Sequence, residues 1–202
     1  MRSAARLPLR DILRVLAVAA TALWLGACAR MPAPERAWAP PPAEDWALDG
    51  RIAVRSGGEG WHASLRWVQT GAAFRIELSG PLGQGAVRLW GDPGGVSLER
   101  ADGLRDRAAD AAALLERHTG WVLPVDGLRF WVRGLAVPER PARWDHDAGG
   151  RPLRLQQDGW DIRYTAFQEP PADAALPRRI ELVRDGLQAR LIIDRWAAGD
   201  PG

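Results

Sequence analysis

Lysine and asparagine are absent from this 202-residue chain, and cysteine occurs once, at Cys28. Each scarcity removes a class of function. Without lysine there is no Gly-x-x-x-x-Gly-Lys phosphate cradle. A single cysteine closes no internal disulfide and builds no thiolate cage for a metal. The three histidines, His62, His118 and His146, lie far apart in the chain. Asp145-His146-Asp147 could form a metal or acid–base cluster, but it runs into Ala148-Gly149-Gly150 and reads as a polar hairpin turn. Ser56 and Ser64 lack the strand–turn–helix setting of a nucleophile. The sequence therefore offers no catalytic set, no metal site and no cofactor motif.

Charge is also in short supply once the chain is divided. The first 27 residues carry four arginines and one aspartate, and the remaining chain has 23 basic and 24 acidic residues. The formal net charge of +2 thus belongs to the N-terminal segment, and no long basic run follows it. A nucleic-acid footprint needs a clustered basic surface, so that class of partner is excluded. Arg2, Arg6 and Arg10 precede an apolar run from Ile12 to Leu25, broken by Arg14 and Thr21. That run is too short for an ordinary membrane-spanning helix. With Leu25-Gly26-Ala27-Cys28 at its end it reads as an export signal over residues 1–27. The Leu-Gly-Ala-Cys order resembles a lipobox, which implies a triacylated Cys28 as the new N-terminus. Ala29 to Glu44 contains five prolines and reads as an extended tether within 28–45.

From Trp46 to about residue 197 the pattern is mostly of period two. Trp61, Ala63, Leu65 and Trp67 alternate with His62, Ser64 and Arg66, and Phe74, Ile76 and Leu78 with Arg75, Glu77 and Ser79. Similar alternation covers Val87–Leu89, Val96–Leu98, Leu153–Leu155, Trp160–Ala166, Ile180–Leu182 and Leu187–Ile193. This is the signature of antiparallel strands with one covered and one wet face. Ala111, Leu114, Leu115 and His118 recur at helical spacing, with Asp106 or Asp110 as cap and Gly120 as stop. A second helical stripe follows Pro124 through Val125, Leu128, Trp131, Val132 and Leu135. About ten strands and two helices predict a mainly β, α+β fold. It is a single curved antiparallel sheet, partly closed, with short helices on its concave face. Residues 198–202 are left as a tail.

Ten tryptophans remain after residue 27, which is many for an ordinary core of this size. They fit either dense packing or the walls of an apolar cavity. One apolar residue sits in an odd place: Leu82, at the centre of Ser79-Gly80-Pro81-Leu82-Gly83-Gln84-Gly85, where turn chemistry points a side chain toward water.

The following patterns occur in order along the chain: Leu48-Asp49-Gly50-Arg51, Trp67-Val68-Gln69, Gly80-Pro81-Leu82-Gly83, Gly120-Trp121-Val122-Leu123-Pro124, Phe130-Trp131-Val132-Arg133-Gly134, Asp158-Gly159-Trp160-Asp161 and Leu191-Ile192-Ile193-Asp194-Arg195-Trp196. Together they resemble the LolB family of outer-membrane lipoproteins, from about Trp46 to Trp196. The resemblance implies an eleven-stranded half-barrel with a helical lid over an apolar cavity for acyl chains. It implies a LolA-like periplasmic carrier as partner, triacylated lipoproteins as cargo, and a monomer anchored by Cys28 on the periplasmic face of the outer membrane. It implies no nucleotide hydrolysis and no enzymatic step. It assigns Leu82, carried by Gly80, Pro81 and Gly83, to membrane insertion. The proline-rich segment leaves little room for a third lid helix. Candidate cavity walls are Trp61, Leu65, Trp67, Phe74, Ile76, Leu78, Leu115, Trp131, Trp160, Ile162 and Tyr164. The alternative is a lipid-anchored structural module of the envelope with a filled core.

Overall fold

The computed structural model describes Trp38 and residues 44–80, 85–120, 122–168 and 175–198. Cys28 and Pro81, Leu82 and Gly83 lie outside the described residues, as does the segment where a third lid helix would fall. Six strands come first: β1 (Trp46–Ser56), β2 (Glu59–Thr70), β3 (Ala73–Ser79), β4 (Val87–Asp92), β5 (Gly95–Arg100) and β6 (Arg105–Ala108). Two helices follow, α1 (Ala111–Thr119) and α2 (Val125–Trp131). Five strands complete the chain: β7 (Ala142–His146), β8 (Pro152–Gln157), β9 (Trp160–Phe167), β10 (Pro177–Arg184) and β11 (Leu187–Ala198).

All eleven strands form one antiparallel sheet, ordered β6-β5-β4-β3-β2-β1-β11-β10-β9-β8-β7. Each half is a simple meander, and the first and last strands join the halves along a ladder from Trp46↔Ala198 to Arg55↔Gln188. β6 and β7 are the free edges, so the sheet is open. The helical segment connects those two edges in the chain and so must cross between them.

Alternation sets which face is inward. Leu48, Ile52 and Val54 of β1, Leu65 and Trp67 of β2, and Leu191 and Ile193 of β11 are buried. The outward positions between them carry cross-strand ion pairs. Arg51 makes a two-bond contact with Asp194, and Asp49 lies between Arg66 and Arg195. Exposed pairs of this kind stabilise by about 0–1 kcal/mol each, so they keep the convex face wet more than they hold the fold. The core does the holding. Trp46 packs on Trp67 and Trp196 with ring centroids 5.2 and 5.5 Å apart, and Trp131 packs on Trp160 at 6.2 Å.

Turn chemistry matches the sequence where it is strong. Asp185-Gly186 links β10 to β11 with φ of 48° and 80°, both left-handed, as a tight type I′ hairpin requires. α1 is capped by the Asp110 carboxylate, which accepts the Ala113 N–H at 2.8 Å, and it ends at Gly120. Asp106 is not the cap but a residue of β6. The expected polar turn begins only at Asp147, whose carboxylate accepts the Gly149 and Arg151 N–H groups, while Asp145 and His146 finish β7. Within the proline-rich segment, Trp38 is bonded to the domain. Its backbone N–H donates to the Gly149 carbonyl at 2.9 Å and its Nε1–H to the Ala175 carbonyl at 3.1 Å.

The β1–β11 register shifts between Asp49 and Gly50. A side chain at Gly50 would place its Cβ 2.3 Å from the Ile192 carbonyl oxygen, closer than backbone can yield to. Gly50→Ala should therefore destabilise the domain by about 1–3 kcal/mol, the cost of forced overpacking. Urea unfolding would show a lower midpoint with an unchanged slope, because the surface exposed on unfolding stays the same.

Candidate functional site

The concave face of the β1–β4 half does not meet the helices fully. An apolar cavity of about 60 Å³, partly open to the surface, lies between them. Ile52, Trp61, Leu65, Trp67, Ile76, Leu78, Val87, Leu89 and Leu191 form its sheet side. Leu115 and Thr119 of α1, Leu123 of the connection, and Val125 and Leu128 of α2 form its lid. The alternation of the strands accounts for the sheet side, since every second residue of β2, β3 and β4 points inward. The i, i+4 spacing of Leu115 and Thr119, and the i, i+3 spacing of Val125 and Leu128, account for the lid.

The cavity has a floor and a rim. Trp67, Leu89, Leu191 and Val125 are buried, whereas Trp61, Leu78, Val87 and Thr119 are half-buried. Leu78 and Val87 face each other as the outermost pair of the β3–β4 ladder. The loop carrying Leu82 therefore leaves the sheet directly from the cavity rim. On the lid side, Val122 next to Leu123 is 45% exposed. The rim is apolar on both sides.

Of the candidate wall residues, Trp61, Leu65, Trp67, Ile76, Leu78 and Leu115 come together at this cavity. Trp131, Trp160, Ile162 and Tyr164 lie instead in the packed half of the core under α2, and Phe74 packs against the core's edge. Inward direction was readable from alternation, but which inward residues face empty space depends on where the helices settle. Leu123, Val125 and Leu128 carried the signal of an apolar stripe and nothing more.

Gln157 was not foreseen, yet it fixes the lid. It is 3% exposed. Its Oε1 accepts Trp131 Nε1–H at 2.9 Å and the Val137 N–H at 2.8 Å, and its Nε2 donates to the Val137 and Arg140 carbonyls. The Tyr164 hydroxyl donates to the Trp131 carbonyl at 3.0 Å, and burial pushes the phenol's pKa upward, so it remains a neutral donor. These bonds bind the C-terminal end of α2 to β8 and β9. The available signal was a polar residue at an inward position, two after Leu155.

α1 is tied differently. Asp106 on the edge strand β6 accepts from Arg117 and, at 2.8 Å, from His118 Nε2. It also accepts the Arg107 N–H at 2.7 Å. The His118 bond is the largest of the effects that hold this carboxyl at a pKa of about 2, with those from Arg117 and Arg107 next. No group of three or more potential metal ligands occurs among the described residues.

The open antiparallel sheet with short helices over its apolar concave face has solved counterparts. A solved LolA superfamily protein from Nitrosomonas europaea matches it with a TM-score of 0.55 at 11% identity, covering 81% of this chain and 90% of that one. A putative outer-membrane lipoprotein-sorting protein domain from Vibrio parahaemolyticus matches with a TM-score of 0.52 at 7% identity, covering 78% and 86%. At the sequence level, the family model for outer membrane lipoprotein LolB matches residues 44–196. The chain is 43% identical over 166 residues to the outer-membrane lipoprotein LolB of Nitrosococcus oceani, covering 82% of each. It is 40% identical over 186 residues to that of Thiobacillus denitrificans, covering 91% of this chain and 98% of the relative. The chain belongs to the LolB family.

Two measurements check the supports of the lid. Gln157→Leu leaves the Trp131 indole N–H and the Val137 N–H buried without their acceptor, which should destabilise by at least about 2 kcal/mol in chemical unfolding. Asp106 contributes through a depressed folded pKa, so its contribution is present above the ordinary carboxylate value of 3.8 and is lost as pH falls through about 2. The stability difference between the wild type and Asp106→Asn should accordingly be present at pH 7, shrink below pH 4 and vanish near pH 2.

Proposed function

We propose that this protein is an outer-membrane-anchored receptor that accepts lipoproteins from a LolA-like periplasmic carrier and passes their acyl chains into the membrane. The observation that carries the reading is where β3 ends and β4 begins. The two residues paired there, Leu78 and Val87, are rim residues of a wholly apolar cavity. Binding site and membrane-contacting loop are thus adjacent, and Leu82 lies in the loop between them.

The physics requires no nucleotide and no bond-making chemistry. Each buried methylene contributes about 0.8 kcal/mol, so three acyl chains do not cross water freely. They can pass between apolar linings that are brought into contact, moving down a gradient of burial. As folded, the cavity is about 60 Å³. An apolar cavity of roughly 150 Å³ is needed to admit one benzene. The site therefore works by opening, with part of its lid moving off the sheet as chains enter. The closed state keeps the lining dry between transfers.

Leu82 acts at the second step, from cavity to bilayer. Burying a leucine is worth roughly 1.5–3 kcal/mol. That is too little to anchor the domain, which is the task of the acyl groups on Cys28, but enough to seat the loop among lipids beside the rim. A structural module with a filled core is the competing reading. It is favoured by the aromatic clusters, which place Trp46, Trp131 and Trp160 in packing and not at the cavity.

Leu82→Glu is expected to leave folding and the acceptance of lipoprotein from the carrier intact while abolishing insertion into liposomes. Reconstituted transfer with loaded carrier separates the two steps. Unchanged insertion by this variant would remove the loop from the mechanism, and failure of the wild type to accept any cargo would favour the structural module.

A further inference from the structure

The two lid helices are held in unlike ways. α2 is fixed by buried bonds, through Gln157 to the Trp131 indole and through Tyr164 to the Trp131 carbonyl. Trp131 also folds beneath its own helix, so close that a Cβ at Gly127 would stand 2.9 Å from its ring. Hydrogen bonds in such a low-dielectric setting are strong and specific. α1 buries Ala111, Leu114 and Leu115, and its last turn is tied to β6 through Asp106, whose side chain is 26% exposed, by an exposed Arg117 and a half-buried His118. Exposed ion pairs are weak and screened by salt. Between the helices, Gly120 takes a left-handed conformation with φ of 75° and ends α1, and the connection then runs to Pro124. On the cavity side α1 presents Leu115 and Thr119. Moving this helix would remove one complete side of the lid.

We propose that Asp106 is the latch of the cavity. Arg117 and His118 leave its carboxylate together, α1 swings from the β6 edge about its C-terminal Gly120, and α2 stays on the β8–β9 half. The two halves of the lid thus have different tasks: α2 is a fixed wall and α1 is the door. Arg117 and His118 are adjacent in sequence, so a single rotation of the last turn of α1 breaks both contacts. Asp106 is a positioning residue in this account, acting on the cargo only through the helix it holds. The proposal rests on the cavity being the cargo site, as argued above.

Hydrogen exchange on the mature lipidated chain in liposomes tests it. In the wild type, α1 amides should exchange faster than those of α2, and added salt should speed α1 alone. Asp106→Asn should speed α1 by roughly fivefold or more, the ratio expected for losing one or two weak surface pairs, and leave α2 unchanged. Arg117→Gln, which keeps the His118 contact, should fall between them and serves if Asp106→Asn folds poorly. A short reducible crosslinker between Asp106→Cys and His118→Cys, spanning the gap that the two native side chains bridge, should slow α1 and block acceptance of lipoprotein from a loaded carrier until reductant is added. The cysteine at position 28 is acylated and does not compete. Equal exchange of α1 in the wild type and both latch variants would overturn the latch. Full acceptance by the crosslinked double-cysteine protein would overturn the door, whatever the exchange rates. Failure of the unmodified protein to accept cargo would instead count against the receptor reading.

Discussion

Everything in this molecule depends on the pairing of its first strand with its last. β1 and β11 share a ladder that runs from Trp46↔Ala198 to Arg55↔Gln188. Without it the chain is two meanders, each with an apolar face too broad for its own helices to cover. With it, the inward residues of both halves meet in one core, and the curvature of eleven twisted strands turns that core toward one side. The pairing joins residues nearly a full domain apart in sequence, so its loop-closure entropy must be met by many contacts made at once. Gly50 shows how close that approach is: no side chain fits between the strands at the register shift.

An open sheet leaves two problems, its edges and its concave face, and the same segment of chain addresses both. The edge strands are short and carry charge, Arg105-Asp106-Arg107 in β6 and Arg143 with Asp145 and His146 in β7, which discourages pairing with other strands. The helices between them cross the concave face. They are nine and seven residues long, too short to be stable alone, and they exist because of what they cover. Such short helices are held by tertiary contacts, and these contacts differ between the two.

Much of this was legible in the sequence, because alternation and turn chemistry are local. Eight of the strands show as runs of period two, and the sequence narrows the start of α1 to Asp106 or Asp110 and its stop to Gly120. β6 and β7 were hidden because edge strands are selected for charge, and so Asp106 reads as a helix cap and Asp145-His146 as part of a turn. The cavity was only half legible. Trp61, Leu65, Trp67, Ile76 and Leu78 follow from facing inward on β2 and β3, but so do Trp160, Ile162 and Tyr164 on β9, which face filled space. The difference lies in where α2 rests, and that is set by Gln157, a partner 26 residues away from Trp131. Local patterns do not encode such a contact.

The aromatic content now has a physical account that joins stability to transfer. Trp131 and Trp160 fill the half of the core under α2, where Gln157 and Tyr164 secure the backbone. Trp61 and Trp67 line a void that Leu115 and Thr119 of α1 cover together with Val125 and Leu128 of α2. One half is therefore stiff and the other is underpacked, within a single sheet. Underpacking costs stability, since atoms lining a void forgo their dispersion contacts. The same deficit favours a guest, because an acyl chain that enters restores those contacts and fills space that neither water nor the helix occupied. A fully packed interior would exclude cargo, and a large preformed pocket would expose apolar surface to the periplasm and retain what it bound. A small void under a loosely latched helix avoids both. In the proposed mechanism it admits chains when a richer apolar surface is pressed to its rim, and it closes as they leave for the bilayer.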